Sequence, residues 1–227
     1  MITHPFFEEY KHLIETEQIL VNKERKLLIK ILEENVLSRD DIYFDTDLID
    51  KYIRFSEKWF FPLARYQKFI TPFIFLYFKK NNEPFFNEFL ITLARGGGKN
   101  GFMSTRDAFF ISPLYPVMNY DVTITANSEK QGKVSFEEVY ETIQSKGLEK
   151  TYYLTKMQII GIKHNSVFSF RTNNPKTMDS ARDGCLEFDE IHQFEDDKAV
   201  KVQKSGLGKI PHTPNTVSYT HLTLPTN

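Results

Sequence analysis

From Pro5 to about Phe61 the hydrophobic positions recur at helical spacing. Phe6, Phe7, Tyr10, Leu13 and Ile14 share one face, and Leu27, Leu28, Ile31 and Leu32 form another. A third helix is predicted from about Asp47, with Asp45 or Thr46 as its cap and Ile49, Tyr52, Ile53, Trp59 and Phe60 as its apolar positions. That aromatic stripe reads as core. The stretch Phe61–Phe69 breaks the helix and starts another, open to a kink, that runs to Lys80 before the turn Asn81-Asn82-Glu83-Pro84.

Beyond the turn the spacing alternates between strand and helix. Phe85–Ala94 reads as one strand or a strand pair, followed by a Gly-rich loop and a helix through about Phe110. Val122–Ala126 is a β-branched strand, and Asn127–Gln144 is a helix with Val134, Phe136, Val139, Tyr140 and Ile143 as apolar positions. Met157–Ile162 and Ser166–Arg171 form a hairpin around Lys163-His164-Asn165, Thr172–Gly184 is a polar loop, and a last strand, Cys185–Phe188, ends in Asp189-Glu190. This is an α/β succession behind an N-terminal helical region.

Composition narrows the class. At 41% hydrophobic and 26% charged residues, the chain has enough apolar side chains for a sizeable core. A net charge of -1 gives no global footprint of nucleic-acid binding, so a contact of that kind would be a local patch or lie outside this chain. The lone Cys185 excludes an internal disulfide framework and a cysteine-based zinc site, as in a reducing cytoplasm. The N-terminus shows no signal-peptide pattern, and the apolar run Phe69–Phe78 is short and broken by Thr71-Pro72, so no membrane association is expected.

The candidate chemistry begins at Leu90–Gly101, where an apolar strand enters Arg95-Gly96-Gly97-Gly98-Lys99-Asn100-Gly101 and a helix starts. Glycines let successive backbone N–H groups turn toward an anion, the helix start adds its positive end, and Lys99 supplies a mobile charge for β- and γ-phosphates. Against G-x-x-x-x-G-K-[ST] the match is partial: Gly98-Lys99 fit, Leu93 stands at the first glycine and Asn100 replaces the hydroxyl residue. A Gly-rich surface turn with a solvated lysine would have the same sequence. The second half of a nucleotide site is Asp189-Glu190 at a strand's carboxyl end: Asp189 as Mg²⁺ residue, Glu190 as base for the attacking water. Glu187 needs a basic partner if its strand is central. His192, in Asp189-Glu190-Ile191-His192, reads as a structural or coupling group.

Together these features resemble the N-terminal packaging-ATPase region of the large terminase subunit of tailed bacteriophages. Arg95 early in the loop with Gly98-Lys99 matches that family's variant phosphate loop, and Gln67 in the context Phe61-Pro62 through Tyr66-Gln67 matches its adenine-recognition element. Ala126–Gln131 matches the segment after the second strand, and Met178–Gly184 the loop leading to the acid pair. The resemblance covers most of residues 60–211. It implies an ASCE-type P-loop NTPase with a mostly parallel central sheet flanked by helices. It implies ATP and Mg²⁺ as cofactors, with Gln67, Arg95, Gly96, Gly97, Gly98, Lys99, Asn100 and Gly101 around the nucleotide, Asn100 and Asp189 on the metal, and Glu190, Lys99 and Arg95 in catalysis. Gln67 could equally be a surface helix glutamine, and Arg95 a structural ion pair.

As partners the resemblance implies viral double-stranded DNA, the portal protein, the terminase small subunit and further copies in a ring on the portal, in the host cell cytoplasm. Expected domains are 1–60, helical, and 61–212, the ATPase domain, incomplete at its C-terminus and without the family's nuclease. Val217–Thr226 resembles translated sequencing-adapter read-through, and residues 213–227 are expected to be a non-native or disordered tail; no coupling strand is recognisable before it, so the truncated chain is not expected to be a competent motor. Two rival readings share the core: a helicase-like nucleic-acid-dependent ATPase, and a nucleotide-binding assembly module that does not hydrolyse ATP.

Overall fold

The computed structural model describes residues 2–94, 96–172 and 183–207, and the backbone alone of 215–222. The chain divides into two compact units, Met1–Ile53 with Pro62–Phe86, and Arg54–Phe61 with Asn87–Asn227. Residues 62–86 therefore group with the N-terminal helices, whereas the sequence places the boundary between 60 and 61.

In the first unit, α1 (Pro5–Glu15) starts where Pro5 presets the backbone and His4 Nδ1 accepts the Phe6 N–H at 3.3 Å. It buries Phe7, Tyr10, Leu13 and Ile14, as the spacing predicts. α2 (Lys23–Leu32) is capped by Asn22, whose Oδ1 accepts the Arg25 N–H at 3.0 Å. Its buried face is not the predicted one: Ile29 and Leu32 are inside, while Leu27, Leu28 and Ile31 are exposed. The run Leu27-Leu28-Ile29-Lys30-Ile31-Leu32 supports two apolar stripes, and Val36, a turn beyond Leu32 and also buried, selects the one through Ile29.

β1 (Ile42–Phe44) leads to α3 (Thr46–Trp59), where Asp45 Oδ1 accepts the Leu48 N–H at 2.9 Å. α4 (Arg65–Ile74) ends well before Lys80. Pro72 brings no N–H to the helix, Phe75 N–H closes it on the Pro72 carbonyl at 3.1 Å, and β2 (Leu76–Phe78) pairs antiparallel with β1. The predicted long helix is thus a short one followed by an aromatic strand. Phe7, Tyr10, Phe69 and Phe73 interlock with ring centroids 4.7–6.0 Å apart, the core of this unit.

The second unit holds a seven-stranded sheet. β3 (Glu88–Ala94) feeds α5 (Lys99–Phe110), and β4 (Asp121–Ala126) feeds α6 (Glu129–Ser145). β5 (Tyr152–Leu154), β6 (Gln158–Gly161) and β7 (Ser166–Thr172) follow, with the predicted hairpin between β6 and β7. β8 (Asp183–Phe188) precedes α7 (Lys198–Gly206) and β9 (Asn215–Leu222). The order is β3-β9-β8-β4-β7-β6-β5; the first five run parallel, and β6 and β5 extend the sheet antiparallel. This is the expected α/β architecture with a mostly parallel central sheet.

β9 lies within the segment expected as a tail. Its backbone pairs with β3 from Glu88↔Thr216 to Ala94↔Leu222 and with β8 from Cys185↔Asn215 to Phe188↔Ser218. The stretch Asn215-Thr216-Val217-Ser218-Tyr219-Thr220 is rich in β-branched and aromatic residues, which suits it to a strand whatever its origin.

Candidate nucleotide site

The loop between β3 and α5 turns tightly. The Gly97 N–H donates to the Ala94 carbonyl at 2.9 Å, and a β-carbon on Gly97 would stand 2.9 Å from that same oxygen. Gly98, at φ 82° and ψ 23°, is the left-handed cap from which α5 starts. Lys99 is therefore the first residue of the helix, beside its unpaired N–H groups. Asn100 follows, partly exposed, and the Gly101 α-carbon faces the Phe61 ring so closely that a β-carbon there would lie 2.7 Å from Phe61 Cζ. Gly96 also has positive φ, 78°. Arg95 lies outside the described residues, as do residues 178–182 of the loop before the acid pair.

Across the sheet, the Asp189 N–H continues the β8 ladder by donating to the Thr125 carbonyl of β4 at 2.9 Å. Glu190 then adopts a left-handed conformation, φ 53° and ψ 45°, unusual for a residue with a side chain and worth about 1–3 kcal/mol of local strain. A 3₁₀ turn over Ile191–Gln193 begins there, closed by Gln193 N–H on the Glu190 carbonyl at 2.8 Å.

The two halves meet. Lys99 Nζ is 2.5 Å from Asp189 Oδ1 and 2.8 Å from Glu190 Oε1, and Lys99 is only 3% exposed. One ammonium between two carboxylates leaves this buried centre one negative charge in excess. It is a centre that accepts a cation and can release its lysine to an anion. The other oxygen of Glu190, Oε2, stands 3.5 Å from His192 Nδ1, which places His192 beside the candidate base. A bond of 3.2 Å from Gln131 Nε2 to Gln193 Oε1 ties the start of α6 to the same turn.

Below the acid pair, Glu187 finds the partner its position required. It is an ion pair with Arg106 of α5, both fully buried, with Asp107 Oδ1 3.6 Å from Arg106. Burial pushes the Asp107 carboxyl up to about 7, against the pull of Arg106. The sequence asked for a basic partner; that it is Arg106 follows from the helix and strand meeting face to face.

A family model described as the terminase large subunit, ATPase domain, matches residues 65–217. The chain belongs to the terminase large subunit ATPase family. Among solved structures it is similar to the large terminase of bacteriophage HK97, at 17% identity and TM-score 0.65, covering 76% of this chain and 37% of that one. It is also similar to the large terminase ATPase domain of Thermus phage P74-26, at 13% identity and TM-score 0.49, covering 60% of each chain. The first likeness is one of fold, and the chain spans 37% of the length of that relative. No curated protein matches.

Within this terminase ATPase domain, the described residues include no cluster of three or more His, Cys, Asp or Glu side chains that would hold a metal by themselves. Asp189 and Asn100 are hard oxygen donors of the sparse kind that suits Mg²⁺, which keeps waters and takes phosphate oxygens. Gln67 belongs to the first unit. It is 2% exposed rather than a surface residue, its Oε1 accepts the Ala64 N–H at 2.7 Å and its Nε2 donates to the Tyr66 hydroxyl at 3.2 Å. The amide thus caps the start of α4, an employment its sequence context did not reveal.

Proposed function

We propose that this chain binds ATP with Mg²⁺ at the centre formed by Lys99, Asp189 and Glu190, and that in the full-length terminase this centre hydrolyses ATP to drive viral double-stranded DNA into the procapsid. The observation that carries this reading is Lys99, at the start of α5, bridging both carboxylates at the end of β8. β9 lies between β3 and β8, so the phosphate loop and the acid pair stand two strand spacings apart, roughly 9.5 Å. A polyphosphate at the carboxyl ends of the strands would span that width.

On binding, the Lys99 ammonium leaves the carboxylates for the β- and γ-phosphates, and the positive end of α5 that starts at Lys99 takes the remaining phosphate charge. Asp189 and Asn100 would hold Mg²⁺, which when bound neutralises charge on the phosphate oxygens. Glu190, released from Lys99, takes the proton of the attacking water as its oxygen bonds to the γ-phosphorus and the bond to the β-phosphate oxygen breaks. His192 keeps the Glu190 carboxylate oriented. Arg95 stabilises γ-phosphate charge. The family supplies the wider setting: a homo-oligomeric ring on the portal, with the small subunit, in the host cytoplasm.

The test is titration with a fluorescent ATP analogue and Mg²⁺, paired with phosphate release. Lys99→Ala should abolish triphosphate affinity, and Glu190→Gln should bind as the parent does without turning over. Parental affinity in the first variant would reject the cradle; parental turnover in the second would remove Glu190 as base.

A further inference from the structure

Beneath the proposed nucleotide centre lies a second charged contact that neither phosphate binding nor water activation uses. Positions 99 and 106 are a heptad apart on α5, so their side chains leave the helix within about 20° of the same direction. Positions 187 and 189 alternate along β8 and its extension, so theirs leave one face of the sheet. Lys99 meets Asp189 and Arg106 meets Glu187: the same helix face lies on the same strand face at two rungs.

The two spacings do not match. A heptad advances roughly 10.5 Å along a helix, and two strand residues advance roughly 6.6 Å. Only long side chains close that difference at both rungs, and here both helix positions carry them. Arg106 and Glu187 are 1% and 0% exposed, so solvent does not screen this rung.

We propose that Arg106 and Glu187 are positioning residues, a buried clamp that sets the register of α5 against β8 and thereby the distance from Lys99 to Asp189 and Glu190. The clamp rests on the nucleotide reading for its functional meaning, though not for its geometry. Arg106→Gln with Glu187→Gln removes both charges together, leaves neither orphaned, and puts two amides in hydrogen-bonding reach.

The readout is the rate at which an amine-acetylating reagent labels Lys99 in the nucleotide-free protein, followed by mass spectrometry at one fixed pH. In the double variant Lys99 should label about tenfold faster through local opening, while Lys204, paired with Glu88 elsewhere in the unit, labels at the parental rate and the melting temperature is held. In ATP turnover the double variant should lose about tenfold in kcat with KM changed less than about twofold, the split expected when reacting groups are misplaced and binding is kept. Should the double variant not fold, Arg106→Lys keeps the charge but loses the planar fork, and a rise of about threefold in Lys99 labelling is expected. Parental labelling of Lys99 in either folded variant overturns the clamp. A parent that labels as expected but hydrolyses no ATP supports the clamp and refutes the nucleotide reading alone.

Discussion

Asp107 gives the sharpest test of the buried charge cluster. Its carboxyl is fully buried beside Arg106 and its pKa rises from 3.8 to about 7, with burial the larger cause and Arg106 opposing it. The folded protein therefore keeps this proton through a range in which the unfolded chain has already released it. Between those two values the native state binds more protons than the unfolded state, so stability falls as pH rises. About three pH units at about 1.4 kcal/mol each amount to about 4 kcal/mol, lost between pH 4 and pH 7 and constant above. With Asp107 protonated, the Arg106–Glu187 pair is electrically balanced; ionising Asp107 adds an unmatched negative charge.

Asp107→Asn mimics the protonated form at every pH. Urea unfolding followed through Trp59, the one tryptophan and part of the same unit, reads the difference. Parent and variant should unfold alike near pH 4, and the variant should gain to about 4 kcal/mol over the parent by pH 7, about 2 M in urea midpoint at a typical slope. The comparison cancels the other carboxylates, which titrate in both proteins. A constant gap from pH 4 to pH 8 would refute the assignment of the proton to Asp107.

Other substitutions probe the packing that carries the site. Gly161→Ala would put a β-carbon 1.8 Å from the Ile111 carbonyl oxygen, a backbone atom, so a loss above about 3 kcal/mol in denaturant unfolding is expected, and a loss below about 1 kcal/mol would disprove the contact. Gly132→Ala, inside α6 with Phe170 Cβ at an ordinary 3.4 Å, should be neutral or up to about 1 kcal/mol stabilising; clear destabilisation would mean α6 packs closer than described. For α2, Ile29→Ala should cost about 2–4 kcal/mol and Leu28→Ala under about 0.5, and the reverse order would restore the face predicted from sequence.

Alternation and turn chemistry made most of the second unit legible. β4, α6, the β6–β7 hairpin and the strand ending at Asp189 stand where the spacing put them, because each is a strongly patterned segment bounded by turn residues. The meeting of Lys99 with Asp189 and Glu190 was legible from their chemistry, and the geometry brings all three together. Other features depend on contacts between elements. The α2 stripe is decided by Val36 and the core it joins, not by the ambiguous run itself. The long helix to Lys80 fails at Pro72, since propensity there yields to a strand pairing with β1 from far earlier in the chain. The left-handed Glu190 leaves no mark in the sequence, as glutamate is not among the residues that favour that region. Arg106 reads as an ordinary helix residue until its heptad partner Lys99 and the alternation of Glu187 and Asp189 are laid face to face.

β3 is the last strand of its sheet among the described residues, and Leu90 on it is 70% exposed while only Ile91 is buried. The strand runs up to the phosphate loop, and β9 is its one neighbour in the sheet among the described residues. The edge of a sheet can take up an extended polypeptide as a further strand. Whatever strand docks there would stiffen the stem from which the loop hangs, so crowding or a neighbouring chain would reach the nucleotide centre through the backbone, without touching a single one of its side chains.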